Sequence, residues 1–183
     1  MFPMALSRFG EIGWFSPDPR GVLPLDEFHI PHGLKRALRK EPFEIRIDTA
    51  FGDVMDGCAD RTSTWISPEI KASYVRLFEL GYGHSVECWQ DGELCGGLYG
   101  IAIGGVFFGE SMFSRKTDAS KIALVALIDR MQARGFQLLD TQWSTPHLAQ
   151  FGCRDMPRHE YLRKLNAALL VNPEFHEPTG SVH

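Results

Sequence analysis

The sequence has few of the residues that build metal or disulfide frameworks. Its four cysteines, Cys58, Cys88, Cys95 and Cys153, form no CxxC pair and no finger spacing. A chain of this size has no need of disulfides, so they read as free, mostly structural thiols. The seven histidines are scattered with no HxH or HExxH pattern, so no metal site is expected. No apolar run reaches the roughly 18 residues of a membrane span. The first residues, Met1 to Leu6, make no signal-peptide core and have no basic flank, which points to the cytoplasm. There is no repeat and no low-complexity stretch. Cations are not in excess: Lys+Arg is 19 against Asp+Glu 23, a net charge of -4. That excludes a uniformly basic nucleic-acid coat but leaves room for a local basic patch.

What is present is ordinary globular composition, 183 residues with 44% hydrophobic and 23% charged. The length suits one domain with a small extension. Residues 1–32 are rich in turn formers, with Pro17, Pro19, Gly21, Pro24 and Pro31. They read as an extended arm. Residues 173–183, with Pro173, Pro178 and Gly180, read as a fraying tail.

Between them the periods alternate. A short helix is expected over 32–40, a strand over 43–48 and a helix over 50–59. Ser67-Pro68-Glu69 predicts a capped helix start, ending at Gly81. A strand over 84–90, the turn Asp91-Gly92, a strand over 93–103, a turn at Gly104-Gly105 and a strand over 106–113 predict a meander. A long helix over 118–133 ends at Gly135 and leads to a strand over 136–143. A short helix, a short strand over 153–156 and a helix over 159–170 complete the order. The meander followed by a crossover helix predicts an α+β, mixed-sheet fold with helices on both faces.

Three features break the apolar pattern. Gly96, Gly97 and Gly100 weaken a strand. Such glycines mark either a bulge or the close approach of a ligand or another backbone. Glu110 sits among Phe107, Phe108, Met112 and Phe113, where a carboxylate needs a partner or a task, unless it lies on a solvated edge. Asp140 and Gln142 follow Leu138-Leu139. Strand alternation puts the acid and amide on one face and Leu139 on the other. Facing Glu110, they would make a polar floor in an apolar wall, the form of a small-ligand site.

The runs Trp14-Phe15-Ser16-Pro17-Asp18-Pro19-Arg20, Thr64-Trp65-Ile66, His84-Ser85-Val86-Glu87, Gly96-Gly97-Leu98-Tyr99-Gly100, Gly109-Glu110-Ser111-Met112-Phe113-Ser114, Ala119-Ser120-Lys121 and Asp140-Thr141-Gln142 carry a resemblance. In this order they resemble the bacterial leucyl/phenylalanyl-tRNA–protein transferases, from Phe2-Pro3-Met4 to about Leu165. The resemblance implies an N-acetyltransferase-like catalytic domain over 61–172, preceded over 1–60 by a truncated remnant of a small N-terminal domain. Family members usually carry a further segment before the Phe-Pro-Met position. It also implies transfer of Leu or Phe (or Met) from charged tRNA to a protein with N-terminal Arg or Lys, which marks that protein for degradation. No cofactor and no metal are expected, and the chain is expected to be a monomer.

The same resemblance suggests roles. Gln142 holds the aminoacyl group with Asp140 beside it. Asp140 either draws a proton from the amine through Gln142 or water, or binds the incoming cationic N-terminus. Glu110 anchors an amino group or the ribose end. Leu98, Phe107, Met112, Leu124, Leu127, Met131 and Leu139 form the side-chain pocket, although each alone reads equally as core. Leu98 and Leu127 replace Met and Phe of some relatives. Trp14, Trp65 and Ser111 meet the terminal adenosine, and aromatic faces suit unpaired bases. Lys35, Arg36, Arg39 and Lys40 form i,i+4 pairs on one helix face, suited either to solvent or to the tRNA backbone. Trp89 and Trp143 are left as structural. Two other readings stay open: a tRNA- or degron-binding module without catalysis, and a CoA-dependent acyltransferase. The second wants a glycine-rich phosphate loop, and residues 113–118 hold no glycine.

Overall fold

A computed structural model describes residues 1–5, 11–40 and 42–176. The expected mixed α/β architecture is present. Two short strands, β1 (Phe2–Ala5) and β2 (Ile12–Phe15), pair antiparallel as a separate ribbon. The chain then runs through β3 (Arg20–Leu23), α1 (His32–Leu38), β4 (Glu44–Ile47), α2 (Phe51–Ala59) and α3 (Pro68–Glu79). The meander β5 (Gly83–Gln90), β6 (Glu93–Ile103) and β7 (Val106–Ser114) follows. The chain ends with α4 (Ala119–Arg134), β8 (Leu138–Gln142), α5 (Pro146–Ala149), β9 (Arg154–Met156) and α6 (Arg158–Ala168).

The seven-stranded sheet has the order β4-β5-β6-β7-β8-β3-β9. Every pair is antiparallel except β7 and β8, which the α4 crossover makes parallel. The sheet therefore draws strands from both sides of residue 60. The stretch 1–32 is not a plain extended arm. Its Arg20–Leu23 segment, too short to show a period, is a fully buried strand between β8 and β9.

Local chemistry sets the element ends. Ser67 Oγ accepts from the Ile70 amide at 3.3 Å, and Pro68 opens α3. Asp91 and Gly92 both adopt positive φ in the β5–β6 turn, as a tight hairpin demands. Gly135, at φ 79°, closes α4. Ahead of α2, the buried Glu87 carboxylate accepts from the Thr49 and Ala50 amides at 2.9 and 2.8 Å. It also accepts from Ser85 Oγ at 2.8 Å and Trp89 Nε1 at 2.9 Å. A buried charge is tolerated there because donors surround it.

Three buried clusters flank the sheet. One joins α4 and α1 to β5, β6 and β8. A second packs α2 and α3 on the opposite face, with Tyr99 meeting the Phe51 and Tyr74 rings edge-on. A third holds α6 to β3, β8 and β9. The expected tail is ordered in its first part: the buried Phe175 ring stacks on His84 at 4.2 Å and on Phe107 at 5.5 Å. Its remainder from 177 lies outside the described residues. The three strand glycines serve packing. A Cβ at Gly96 would meet the Ala119 Cβ at 2.6 Å, and one at Gly100 would meet the Phe108 carbonyl at 2.3 Å, beside a bulge. None of them lines the cavity described next.

Candidate active site

A cavity of about 390 Å³ is walled by side chains of β6, β7, α4 and β8, within the size range of small-ligand sites. Its apolar wall is Leu98, Met112, Leu124, Leu127 and Leu139. Phe107 and Met131 do not reach it: both are wholly buried in the α4-side core behind that wall. Its polar wall holds Tyr99, Glu110, Ser111, Thr141 and Gln142. Phe2, Trp65 and Trp143 add aromatic surface.

Gln142 Nε2 donates to Glu110 Oε2 at 3.3 Å. Burial pushes the Glu110 carboxyl up to about 7, and the Asp140 charge adds to this. The Tyr74 hydroxyl and the Arg20 cation oppose it. Tyr99, which borders the cavity, is fully buried, and its enclosed hydroxyl has no hydrogen-bond partner among the described residues. Burial pushes that phenol well up, so it stays a donor. An unpartnered buried hydroxyl is a cost the fold carries beside this site.

Asp140 does not line the cavity. It is wholly buried, and Arg20 grips it with Nε at 2.9 and 3.1 Å and Nη2 at 2.8 Å. The Tyr161 hydroxyl donates to it at 2.6 Å and the Gln142 amide at 2.9 Å. The expectation that Asp140 and Gln142 share a face therefore fails. The β3–β8 register slips at Gly21, and Gln142 takes a left-handed φ of 60°, which breaks strand alternation. Asp140 turns toward α6 and Gln142 into the cavity. Gly21 permits the crossing, since a Cβ there would lie 2.1 Å from the Trp143 carbonyl carbon.

Of the expected adenosine contacts, Trp65 and Ser111 line the cavity, while Trp14 is 67% exposed on β2 and does not. Trp143 does line it, contrary to the structural role expected, and meets the Phe2 ring edge-on at 4.8 Å. Lys35, Arg36, Arg39 and Lys40 are exposed on and just after α1, whose Leu34 packs in the α4-side cluster. Sequence reading gave no role to Arg20, Arg61, Tyr99, His147 or Tyr161. Arg20 and Tyr99 stand inside two of the runs quoted above, which was the available signal.

One group among the described residues has the composition of a cation site: Asp48, His84 and His176. Asp48 Oδ2 lies 2.8 Å from His84 Nδ1 and 2.9 Å from His176 Nε2, and Oδ1 accepts from the Ser85 amide at 2.5 Å. These residues are far apart in sequence, so spacing gave no sign of them. None of them lines the cavity.

No helix among the described residues is long and apolar enough to cross a membrane. Solved structures of related shape include that of L-PGS from Bacillus licheniformis, at 16% identity and TM-score 0.46 over 74% of this chain and 50% of that one. Closer relatives come from sequence. Proteins named leucyl/phenylalanyl-tRNA–protein transferase are 57% identical in Akkermansia muciniphila, over 92% of this chain and 89% of that protein. The Salinibacter ruber protein of that name is 53% identical, over 96% and 77%. The model of the leucyl/phenylalanyl-tRNA protein transferase family matches residues 22–166, which covers the cavity's β6, β7, α4 and β8 walls, and the chain belongs to this family.

Proposed function

We propose that this chain moves a leucyl or phenylalanyl group (or methionyl) from its tRNA to the N-terminal Arg or Lys of a protein, marking that protein for degradation. It acts where charged tRNA circulates, in the cytoplasm. The observation that carries the reading is the cavity itself: a leucine-lined apolar end beside a Glu110–Gln142 pair, in a chain of this family. An isobutyl or benzyl side chain suits the leucine-lined end, and ring faces at Trp65 and Trp143 suit the terminal adenine.

The reaction is aminolysis of an ester. The acceptor's α-amine attacks the aminoacyl carbonyl carbon, the C–O bond to ribose breaks, and the proton lost by the amine ends on the ribose oxygen. The ester is already activated, so orientation supplies much of the rate. Gln142 uses its amide carbonyl to align the attacking amine while its Nε2–H stays on Glu110. Glu110 sits at a proton affinity suited to exchange near neutral pH. Asp140 never touches substrate. It is a positioning residue that holds the Gln142 backbone amide.

The test is transfer of labelled Leu or Phe from tRNA to a peptide beginning with Arg or Lys. Transfer is expected with both donors and weakly or not at all with Ala-tRNA. Equal transfer from Ala-tRNA, or no transfer from any donor, would overturn the reading.

A further inference from the structure

A second cavity of about 380 Å³ lies against the first and shares Arg61, Met112 and His147 with it. Its chemistry differs. It lies at the start of α4, and a 16-residue helix directs partial positive charge there. Arg61 and Arg115 face it, and exposed Asp60 is the one carboxylate on its lining. Arg61 spends one donor on the Met112 carbonyl, and Arg115 spends one on the Leu94 carbonyl at 3.3 Å while lying over the Phe113 ring. Each guanidinium has further donors to give.

A helix start with two arginines is not enough to make a site. The deciding feature is Ser120. It is only 8% exposed and lines this cavity. Its backbone amide is taken by Ser114 Oγ, but its hydroxyl has no partner among the described residues. His147 borders both cavities, and its Nε2 has no partner among the described residues. An arrangement of unspent donors with a net positive lining is built for an anion.

We propose that this second cavity seats the 5′ phosphodiester of the tRNA's terminal adenosine while the first cavity holds the aminoacyl ester. The proposal rests on the reading of the first cavity given above. The geometry follows from covalent connection: the 5′ phosphate is one ribose away from the ester oxygen, so it must emerge beside the first cavity. The shared wall at Arg61 and His147 is such a place. The contact reads charge and not base, so it adds affinity for every donor tRNA alike.

Two non-hydrolysable ligands test this by calorimetry. One is phenylalanine amide-linked to 3′-amino-adenosine. The other is the same compound extended by a 5′-linked cytidylyl phosphodiester. The protein is expected to bind the extended ligand at least about ten-fold tighter, as hydrogen bonds to an anion imply. That increment should weaken with added salt by a slope of about -0.7. Arg115→Ala and Ser120→Ala should each reduce the increment several-fold while binding the bare adenosine ligand as the wild type does. That unchanged binding also shows that the variants are folded. An increment that survives in both variants overturns the phosphate site and leaves the proposed function standing. Failure of the wild type to bind either ligand overturns the reading of the first cavity, and the phosphate site with it.

Discussion

Arg20→Met tests the buried support beneath the cavity. Arg20 and Asp140 are 3% and 0% exposed and share three hydrogen bonds. Removing the arginine leaves a carboxylate in the interior with only the Tyr161 hydroxyl and the Gln142 amide as donors. Orphaning one partner of such a pair costs about 3–5 kcal/mol, because the other charge stays buried. A domain is stable by only ~5–15 kcal/mol, so urea unfolding at pH 8 should show a large fall in midpoint at unchanged slope. The double variant Arg20→Met/Asp140→Leu should lose less than the sum of its parts, since it strands no charge. Turnover should fall most in the double variant, where Gln142 loses the carboxylate that grips its backbone amide, and less in Arg20→Met, where that carboxylate remains but is no longer fixed by the arginine. A deficit below about 1 kcal/mol, or strict additivity in the double variant, would refute the reasoning.

Glu110→Gln should remove the inflection near pH 7 from the pH profile of kcat/KM, leaving only the titration of the attacking amine near ~8. The folded carboxyl titrates above its ordinary 4.5, at about 7, so it costs stability as pH rises across that window. The variant's Tm should therefore gain on the wild type at pH 8 and not at pH 4. Leu98→Phe adds bulk to the apolar end. It should shift competition between Phe-tRNA and Leu-tRNA toward Leu by about 10-fold or more, with an unchanged ratio counting against Leu98 as a pocket wall. Arg36→Glu/Arg39→Glu reverses two exposed charges on and beside α1. It should weaken tRNA binding and flatten its dependence on salt, and an unchanged slope would remove this helix from the interface.

Much of the fold is legible in the sequence. Helix α3 announces its start through Ser67 and Pro68, and the Asp91-Gly92 turn fixes the β5–β6 hairpin. These signals are local, set by caps and turn dihedrals. Glu110 stood out because an acid in an apolar strand needs a reason. The ribbon β1–β2 and strand β3 did not show, since four-residue strands among prolines and glycine carry no measurable period. Arg20 and Asp140 are 120 residues apart, and only folding brings them together. The error at Gln142 has a single cause. Alternation assumes a regular strand, and the left-handed turn at this residue inverts the facing from there on. Phe107 and Met131 show the converse limit: an apolar residue at the right spacing can sit one layer behind the wall it was assigned to.

The position of β3 explains why these features belong together. A strand inserted between β8 and β9 brings Arg20 beneath Asp140, and its Gly21 lets the chain after Gln142 pass close. Left-handed backbone at a residue other than glycine costs on the order of 1 kcal/mol or more and persists only where its surroundings hold it. Here the holding group is the Asp140 carboxylate on the Gln142 amide, itself fixed by Arg20 and Tyr161. The amide that faces Glu110 is therefore aimed by residues from three distant segments, β3, β8 and α6. Loosening any of them should release the same strain and let Gln142 return to ordinary strand geometry, with its side chain out of the cavity. The buried ion pair thus acts as a positioning device, and stability and catalysis should fail together when it is cut.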